Sequence, residues 1–303
     1  MSLELRRVSA SGSPAPGVRT VPDVTKLVDT STCIGCKACE VACQEWNDLP
    51  PETTVQTGTY QTLPNTTAHF WNLIKFNEHD DQSGALRWLM RKDQCMHCTE
   101  PGCLIACPAP GAIVQYANGI VDFQQDQCIG CGYCITGCPF DVPKFNPQTR
   151  RVYKCTLCID RVSVGLQPAC VKACPTSCLQ FGTKDAMLEV ANRRVDQLKA
   201  SGFAQAAVYD PPGVGGTGVV TVLAFGDQPE LYGLPRNPTV PAAVTFWKGP
   251  LKWIGNLGML GGLAIAAIHY VRFGRKADPD VDHSPTPTAQ RPSRHKSTSD
   301  ENL

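Results

Sequence analysis

Cys128-Ile129-Gly130-Cys131-Gly132-Tyr133-Cys134-Ile135-Thr136-Gly137-Cys138-Pro139 carries four thiols at the spacing C-x2-C-x2-C-x3-C and ends on proline. The same spacing occurs earlier, at Cys33, Cys36, Cys39 and Cys43. Cys95, Cys98, Cys103 and Cys107 read C-x2-C-x4-C-x3-C-P, and Cys155, Cys158, Cys170 and Cys174 stretch the pattern to C-x2-C-x11-C-x3-C-P. In chain order these are motifs I (from Cys33), II (from Cys95), III (from Cys128) and IV (from Cys155). They absorb sixteen of the 17 cysteines.

An iron–sulfur cube needs four thiolates arriving from different directions. Two-residue gaps let a tight loop wrap three of them around one face. The fourth, three residues on and followed by proline, is carried away and ligates the other cluster of a pair. Four such motifs predict two pairs of [4Fe–4S] clusters, about 16 irons. A zinc ribbon needs two C-x2-C knuckles and leaves the third and fourth cysteines of each run without a purpose. A disulfide scaffold belongs to short secreted domains, whereas 303 residues can bury an ordinary core. Cys178 stands outside every quartet. It reads as a small buried or half-buried thiol, with a ligand or redox switch as the alternative.

Composition bounds the partners. The net charge is +1 and charged residues make up 18%, so there is no basic field to neutralise nucleic-acid phosphates. Glycine and proline, 26 and 25 residues, suit loops whose backbone must approach cluster sulfurs closely.

Along the chain, residues 1–22 read as a flexible arm rich in Ser, Pro and Gly. Arg6-Arg7 imitates a twin-arginine start, but Val8 to Gly17 supply no apolar stretch, so no cleavable signal is expected. Residues 23–183 form the four-cluster domain, with an insertion at 49–92. Within it Phe70–Phe76 and Ala85–Met90 read as strands joined by a polar turn at Asp80–Gly84. Ala112–Tyr116 and Ile120–Phe123 flank Asn118-Gly119, a strong hairpin signal, and a cluster loop beside a short hairpin is a ferredoxin layout. Residues 184–246 form a helix and strand extension. Its helix, at 184–202, turns Met187, Leu188, Val190, Val195 and Leu198 to one face. Gly213–Gly218 tempts a phosphate-loop reading, but it precedes a strand and lacks a P-loop lysine, so a structural loop is expected.

Trp253–Val271 contains no Asp, Glu, Lys or Arg. Nineteen helical residues at about 1.5 Å each reach about 28 Å, the hydrocarbon thickness of a bilayer. Trp247 and Trp253 flank one end and Tyr270 and Phe273 the other, as interfacial aromatics do. Residues 247–273 are therefore expected to form a transmembrane anchor in membrane lipid, followed by a disordered polar tail at 274–303. Gly255, Gly258, Gly262 and Ala266 share a face that another helix could approach. His269 reads as an interfacial histidine, with contact to a partner's haem or quinone site as the alternative. Arg272, Arg275, Lys276 and Arg291 after the span slightly outweigh Arg236, Lys248 and Lys252 before it, which leans towards a cytoplasmic tail.

The four motifs and C-terminal span resemble the iron–sulfur (beta) subunit of respiratory, membrane-bound formate dehydrogenase. The likeness runs from about Val24 to Gly274. It includes Ser31–Cys39, Tyr116–Phe123, Cys128–Cys134 and Arg151–Cys158, and narrows on Asp227-Gln228-Pro229-Glu230-Leu231-Tyr232 and Trp247-Lys248-Gly249. The cysteine pattern by itself is shared with the equivalent subunits of other membrane complexes, such as hydrogenase and dimethyl sulfoxide or polysulfide reductase. The resemblance implies an α+β fold of two pseudo-symmetric ferredoxin-like halves, each holding two [4Fe–4S] clusters, plus one transmembrane helix.

It further implies that motif I pairs with IV and motif II with III. The ligand sets are then Cys33, Cys36, Cys39 with Cys174; Cys155, Cys158, Cys170 with Cys43; Cys95, Cys98, Cys103 with Cys138; and Cys128, Cys131, Cys134 with Cys107. The implied partners are a catalytic alpha subunit carrying Mo or W on a bis-pterin guanine dinucleotide and a cytochrome b (gamma) subunit with haem b that reduces quinone. The cluster domain is then periplasmic, exported with the catalytic subunit, and this chain conducts without a catalytic site of its own. Lys37, Lys154 and Lys172 lie in or against motifs and are candidates to raise cluster potentials.

Overall fold

The computed structural model describes residues 5–8, 22–80 and 84–274. They fall into two units, one reaching Lys252 and the other beginning at Trp253. The expected tail at 275–303, and residues 81–83 of the expected turn, lie outside the described residues.

The first unit opens with β1 (Leu5–Val8), β2 (Val24–Asp29) and α1 (Ala38–Trp46). The insertion supplies β3 (Leu73–Asp80) and β4 (Leu86–Asp93). Motifs II and III are threaded through α2 (Gly102–Ala106), β5 (Ile113–Tyr116), β6 (Val121–Phe123) and α3 (Tyr133–Thr136). Around motif IV come β7 (Lys144–Asn146), β8 (Arg151–Tyr153), α4 (Ile159–Val162), α5 (Ala169–Lys172) and β9 (Leu179–Thr183). The extension adds α6 (Lys184–Ala200), β10 (Ala207–Tyr209), β11 (Val219–Leu223) and α7 (Ala242–Phe246).

A four-stranded sheet in the order β10-β11-β2-β9 organises this unit. β2 lies inside it, parallel to β11 (Val219 opposite Lys26) and antiparallel to β9 (Val28 opposite Leu179). Strand alternation divides its faces. Leu27, Val220 and Val222 pack with Met187, Ala191, Val195 and Leu198 of α6. Val28, Val219 and Leu223 face the other way, into a core that contains Cys39, Cys98, Cys170 and Cys178. The layers are helix, sheet and cysteine core. Each fully buried aliphatic side chain on the helix face contributes about 1.5–3 kcal/mol. The sheet takes β2 and β9 from the motif region and β10 and β11 from the extension, so residues 184–246 complete the wall behind motifs I and IV.

The Asn118-Gly119 turn joins β5 and β6, and β1 adds to the far edge of β5. Residues 5–8 of the expected flexible arm thus form a strand: β5 has an open edge, and Arg6 ties the arm to Asp23 at 2.7 Å. β3 and β4 pair in continuous register, Leu73 opposite Asp93 through Asp80 opposite Leu86. Both start later than the apolar runs indicate. Phe70 and Trp71 are held in a turn, where the Thr67 hydroxyl accepts the Phe70 N–H at 2.9 Å and the Trp71 indole donates to the Ala68 carbonyl.

In the second unit α8 (Lys252–Phe273) exposes Leu257, Leu260, Leu263 and Ile268 along its length. Helical structure runs continuously over Ala242–Phe273, long and apolar enough to cross a membrane. Pro250 cannot donate its N–H, and the backbone takes a π-turn at Trp247–Leu251.

Candidate metal centres

None of the seventeen cysteines is in a disulfide, and the sixteen motif cysteines gather in four groups. In group A, Cys33, Cys36, Cys39 and Cys174 line one cavity together with Lys92 and Cys178. In group D, Cys107, Cys128, Cys131 and Cys134 line a second cavity with Phe123 and Val152. In group B, Cys43 feels the charges of Cys155, Cys158 and Cys170. In group C, Cys98 lies within electrostatic reach of Cys95 and Cys138, and Cys103 of all three. Each group takes three thiols from one motif and the fourth from another. The short helices make the exchange: α1 carries Cys39 and Cys43 to different groups, and Cys103 and Cys107 at α2 do the same.

The groups follow one another in space. Cys39 of A feels Cys170 of B, Cys95 of C shares a small apolar cluster with Cys155 of B, and Cys103 of C shares one with Cys107 and Cys134 of D. The row is A, B, C, D. Cys36 and Cys131 are exposed, and they belong to its two ends; the remaining motif thiols are buried or half-buried.

Local backbone geometry prepares the thiols. Two residues after its first cysteine each motif has a residue at positive φ: Gly35 (64°), His97 (47°), Gly130 (68°) and Leu157 (53°). This left-handed turn aims main-chain N–H groups back at the sulfur. The His97 N–H donates to Cys95 Sγ at 3.4 Å and the Leu157 N–H to Cys155 Sγ at 3.4 Å. His97 and Leu157 accept a conformation that costs a side-chain-bearing residue about 1–2 kcal/mol. The glycine signal marks motifs I and III only, so sequence reading missed the equivalent turns in II and IV.

Burial raises eight of these thiols, among them Cys39, Cys43, Cys98 and Cys103, with Cys134 and Cys158 pushed up to about 12. Buried lysines oppose it. Lys26 lies in the middle of β2 and Lys154 follows β8; both are at most 3% exposed. Lys26 Nζ is 3.4 Å from Cys170 Sγ, and Lys154 Nζ donates to the Val121 and Cys155 carbonyls. Burial works to lower the pKa of both, but the Cys170, Cys155 and Cys158 thiols hold Lys26 above its ordinary value, and Cys95, Asp122, Cys103 and Cys155 do so for Lys154. Cys170 is lowered: burial raises it, but Lys26 and Lys92 outweigh that. Of the lysines singled out from sequence, Lys154 is buried, Lys37 half-buried and Lys172 exposed. Lys26 and Lys92 were missed, because a lysine in a strand reads as solvated until both faces are known to be covered. Cys178 is buried, and its thiol donates to Cys33, holding Cys33 below the ordinary thiol value.

Among the described residues no three Cys, His, Asp or Glu side chains close on a single-ion site. A tetrahedral zinc site brings its sulfurs to about 3.8 Å of one another, given Zn–S near 2.3 Å. Four soft thiols spread around a cavity, with N–H donors and buried cations at hand, fit a cluster of several irons.

Comparison with known proteins agrees with this chemistry. Residues 32–112 and 86–184 each match the model of a 4Fe-4S dicluster domain, and residues 240–283 match that of the formate dehydrogenase N transmembrane segment. The formate dehydrogenase iron–sulfur subunit of Haemophilus influenzae is 54% identical over 282 residues, covering 91% of this chain and 90% of the relative. Two Escherichia coli proteins are each 53% identical: the nitrate-inducible formate dehydrogenase iron–sulfur subunit (91% of this chain, 95% of the relative) and the formate dehydrogenase-O iron–sulfur subunit (92% and 94%).

Proposed function

Since this chain belongs to the family of formate dehydrogenase iron–sulfur subunits, we propose that groups A, B, C and D each hold one [4Fe–4S] cluster and that electrons enter at A and leave at D. The ligand sets are those implied by the resemblance, I exchanging with IV and II with III. Bound there, the clusters supply one-electron relays between the formate-oxidising subunit and the membrane.

The exposure pattern of the thiols carries this reading. Group B is enclosed and group C nearly so, with only Cys138 half-buried, while A and D each bring one thiol to the surface. Beside those thiols stand exposed apolar side chains, Ile34 (60%) at A and Ile129 (67%) at D. A pair of such faces at opposite ends of the row suits two protein partners. The direction is the one the family resemblance implies, and a contact within the cluster unit agrees with it. Lys248 Nζ donates to the Cys107 carbonyl at 3.1 Å, so the segment leading into the span is fastened to group D. Group D is the membrane-side end, and group A faces the catalytic subunit.

The intervening side chains keep water from the path and hold charge beside it. Phe123 and Val152 wall group D, Val142 and Phe140 pack between B and C, and Lys26 and Lys154 counter the thiolates inside. On this reading formate chemistry belongs to a molybdopterin subunit bearing Mo or W, and quinone reduction to a cytochrome b subunit with haem b. The cluster unit lies in the periplasm and the C-terminal tail in the cytoplasm.

Cys131→Ser tests the path. In an assembled complex, formate-dependent reduction of a dye at the catalytic subunit is expected to survive while formate-to-quinone activity falls by an order of magnitude or more. An assembled variant with full quinone reduction, or a native complex indifferent to formate, would overturn the proposal.

A further inference from the structure

β4 ends Arg91-Lys92-Asp93, a charged triplet buried almost completely: Arg91 is 3% exposed and Lys92 2%. Alternation sends neighbours to opposite sides. Arg91 turns to the loop at Pro229–Gly233, where Nε donates to the Tyr232 carbonyl at 2.5 Å and Nη2 to Asp93 at 2.8 Å. Lys92, opposite Ile74 in the ribbon, turns into the cavity lined by Cys33, Cys36, Cys39 and Cys174.

There its ammonium has no hydrogen-bond partner among the described residues. Lys26 and Lys154 do not share this situation, since a thiol and two carbonyls take their protons. The buried carboxylates on this side are engaged elsewhere: Glu40 accepts the Ile74 N–H at 2.6 Å and the Thr62 hydroxyl at 2.7 Å, and Asp29 accepts the Ser31 N–H at 3.0 Å and pairs with Arg194 at 3.0 Å. A desolvated ammonium without a counter-charge costs several kcal/mol. Its charge reaches four cysteine thiols, Cys33 and Cys39 of group A and Cys43 and Cys170 of group B. Because it stands between two groups, its field favours an added electron on either.

We propose that Lys92 is a positioning residue for electron entry: its ammonium donates to the sulfur-rich cluster at group A and fixes a positive charge between A and B, raising the reduction potential at A most, at B less, and at C and D least. The proposal rests on groups A and B holding clusters. One-electron reduction adds negative charge and moves no atoms, so a fixed cation is sufficient to bias it.

The test uses the whole membrane complex with both partner subunits, titrated in potential and followed by electron paramagnetic resonance, with iron counted in each preparation. At the wild-type midpoint of the group A centre, Lys92→Met is expected to lower the reduced-to-oxidised ratio about tenfold, a 59 mV fall for a one-electron couple. Lys92→Arg, which keeps the charge, should stay within about threefold of wild type. If Lys92→Met loses iron, Lys92→Gln is read against the same threshold. Loss of iron from both, but not from Lys92→Arg, would equally support a need for the charge. The proposal falls if a fully loaded Met or Gln variant keeps the wild-type midpoint, if Arg shifts as far as Met, if the shift is confined to the centres at C and D, or if all three variants lose iron alike. Absence of cluster signals from the wild-type complex would instead remove the ligand reading beneath it.

Discussion

Motifs I and III share the tetrapeptide Cys-Ile-Gly-Cys, yet their glycines should differ sharply in tolerance. Gly35 and Gly130 have nearly the same φ, 64° and 68°, so alanine at either meets the same left-handed cost of about 1–2 kcal/mol. What lies beyond the missing Cβ differs. At Gly35 it would meet Met90 Sδ at 2.5 Å, the far end of a flexible side chain that can move aside by rotating. At Gly130 it would meet the Arg150 carbonyl oxygen at 2.0 Å. Ordinary contact begins near 3.4 Å, so that clash is 1.4 Å deep (3.4 minus 2.0). It falls on backbone in the turn between β7 and β8, where Arg150 is itself at positive φ. Overpacking of this kind adds about 1–3 kcal/mol.

Gly130→Ala should therefore cost about 2–5 kcal/mol, while Gly35→Ala should cost about 1–2 kcal/mol. For a unit of this size each kcal/mol moves the melting point by about 2–4 °C, so Gly130→Ala should melt several degrees below Gly35→Ala. Iron analysis gives a second readout. Gly130→Ala should lose the share of iron assigned to group D, roughly a quarter of the total if each group holds one cube, while Gly35→Ala keeps its complement. Equal losses, or Gly35→Ala as the worse variant, would refute the argument.

Thiol reactivity in the cluster-free chain should be ordered by environment. Cys33, held low by the hydrogen bond from Cys178, ionises before an ordinary thiol near pH 8.5. Cys134 and Cys158, pushed up to about 12 by burial, stay protonated well above that. Brief iodoacetamide treatment at pH 7.5, read by peptide mass spectrometry, should label Cys33 ahead of both, an order that exposure also favours, so the deciding observation is that Cys178→Ala slows Cys33; unchanged or faster labelling in that variant would contradict this. The same Cys178→Ala substitution should leave the iron content of the loaded complex unchanged, since Cys178 lies outside the four proposed ligand sets, and a loss of about a quarter of the iron would make it a ligand. Protease added to intact spheroplasts should cut the cluster unit and spare a tag fused after Leu303; the reverse protection would invert the membrane orientation.

Much of this architecture was legible because ligands and spans announce themselves over short distances. The Asn118-Gly119 turn, the amphipathic run that became α6 and the uncharged stretch at Trp253–Val271 are local signals, and each corresponds to an element where expected; the cysteine spacing is a signal of the same local kind. Local signals do not reveal what lies opposite. Val24–Asp29 carries no clear strand signal because Lys26 interrupts its apolar run, and only β11 and β9 on either side make it a buried central strand. His97 and Leu157 occupy the same left-handed position as Gly35 and Gly130, but a non-glycine residue carries no mark of that conformation.

The buried lysines are the sharpest instance. Arg91-Lys92-Asp93 reads as a solvated strand end, and an ammonium would ordinarily keep it so. Lys92 and Lys26 can be internal only because thiols from segments far apart in sequence surround them: Cys33, Cys39, Cys43 and Cys170 for one, Cys155, Cys158 and Cys170 for the other. Charge and ligand each make the other tolerable. Thiolates crowded into an apolar core repel one another, and cations there lack water; interleaved, they offset both penalties. The cysteines are visible in sequence because their spacing is covalent. Their counter-charges are not, because that pairing exists only after folding, and any residue able to bring a positive charge to the same place would serve.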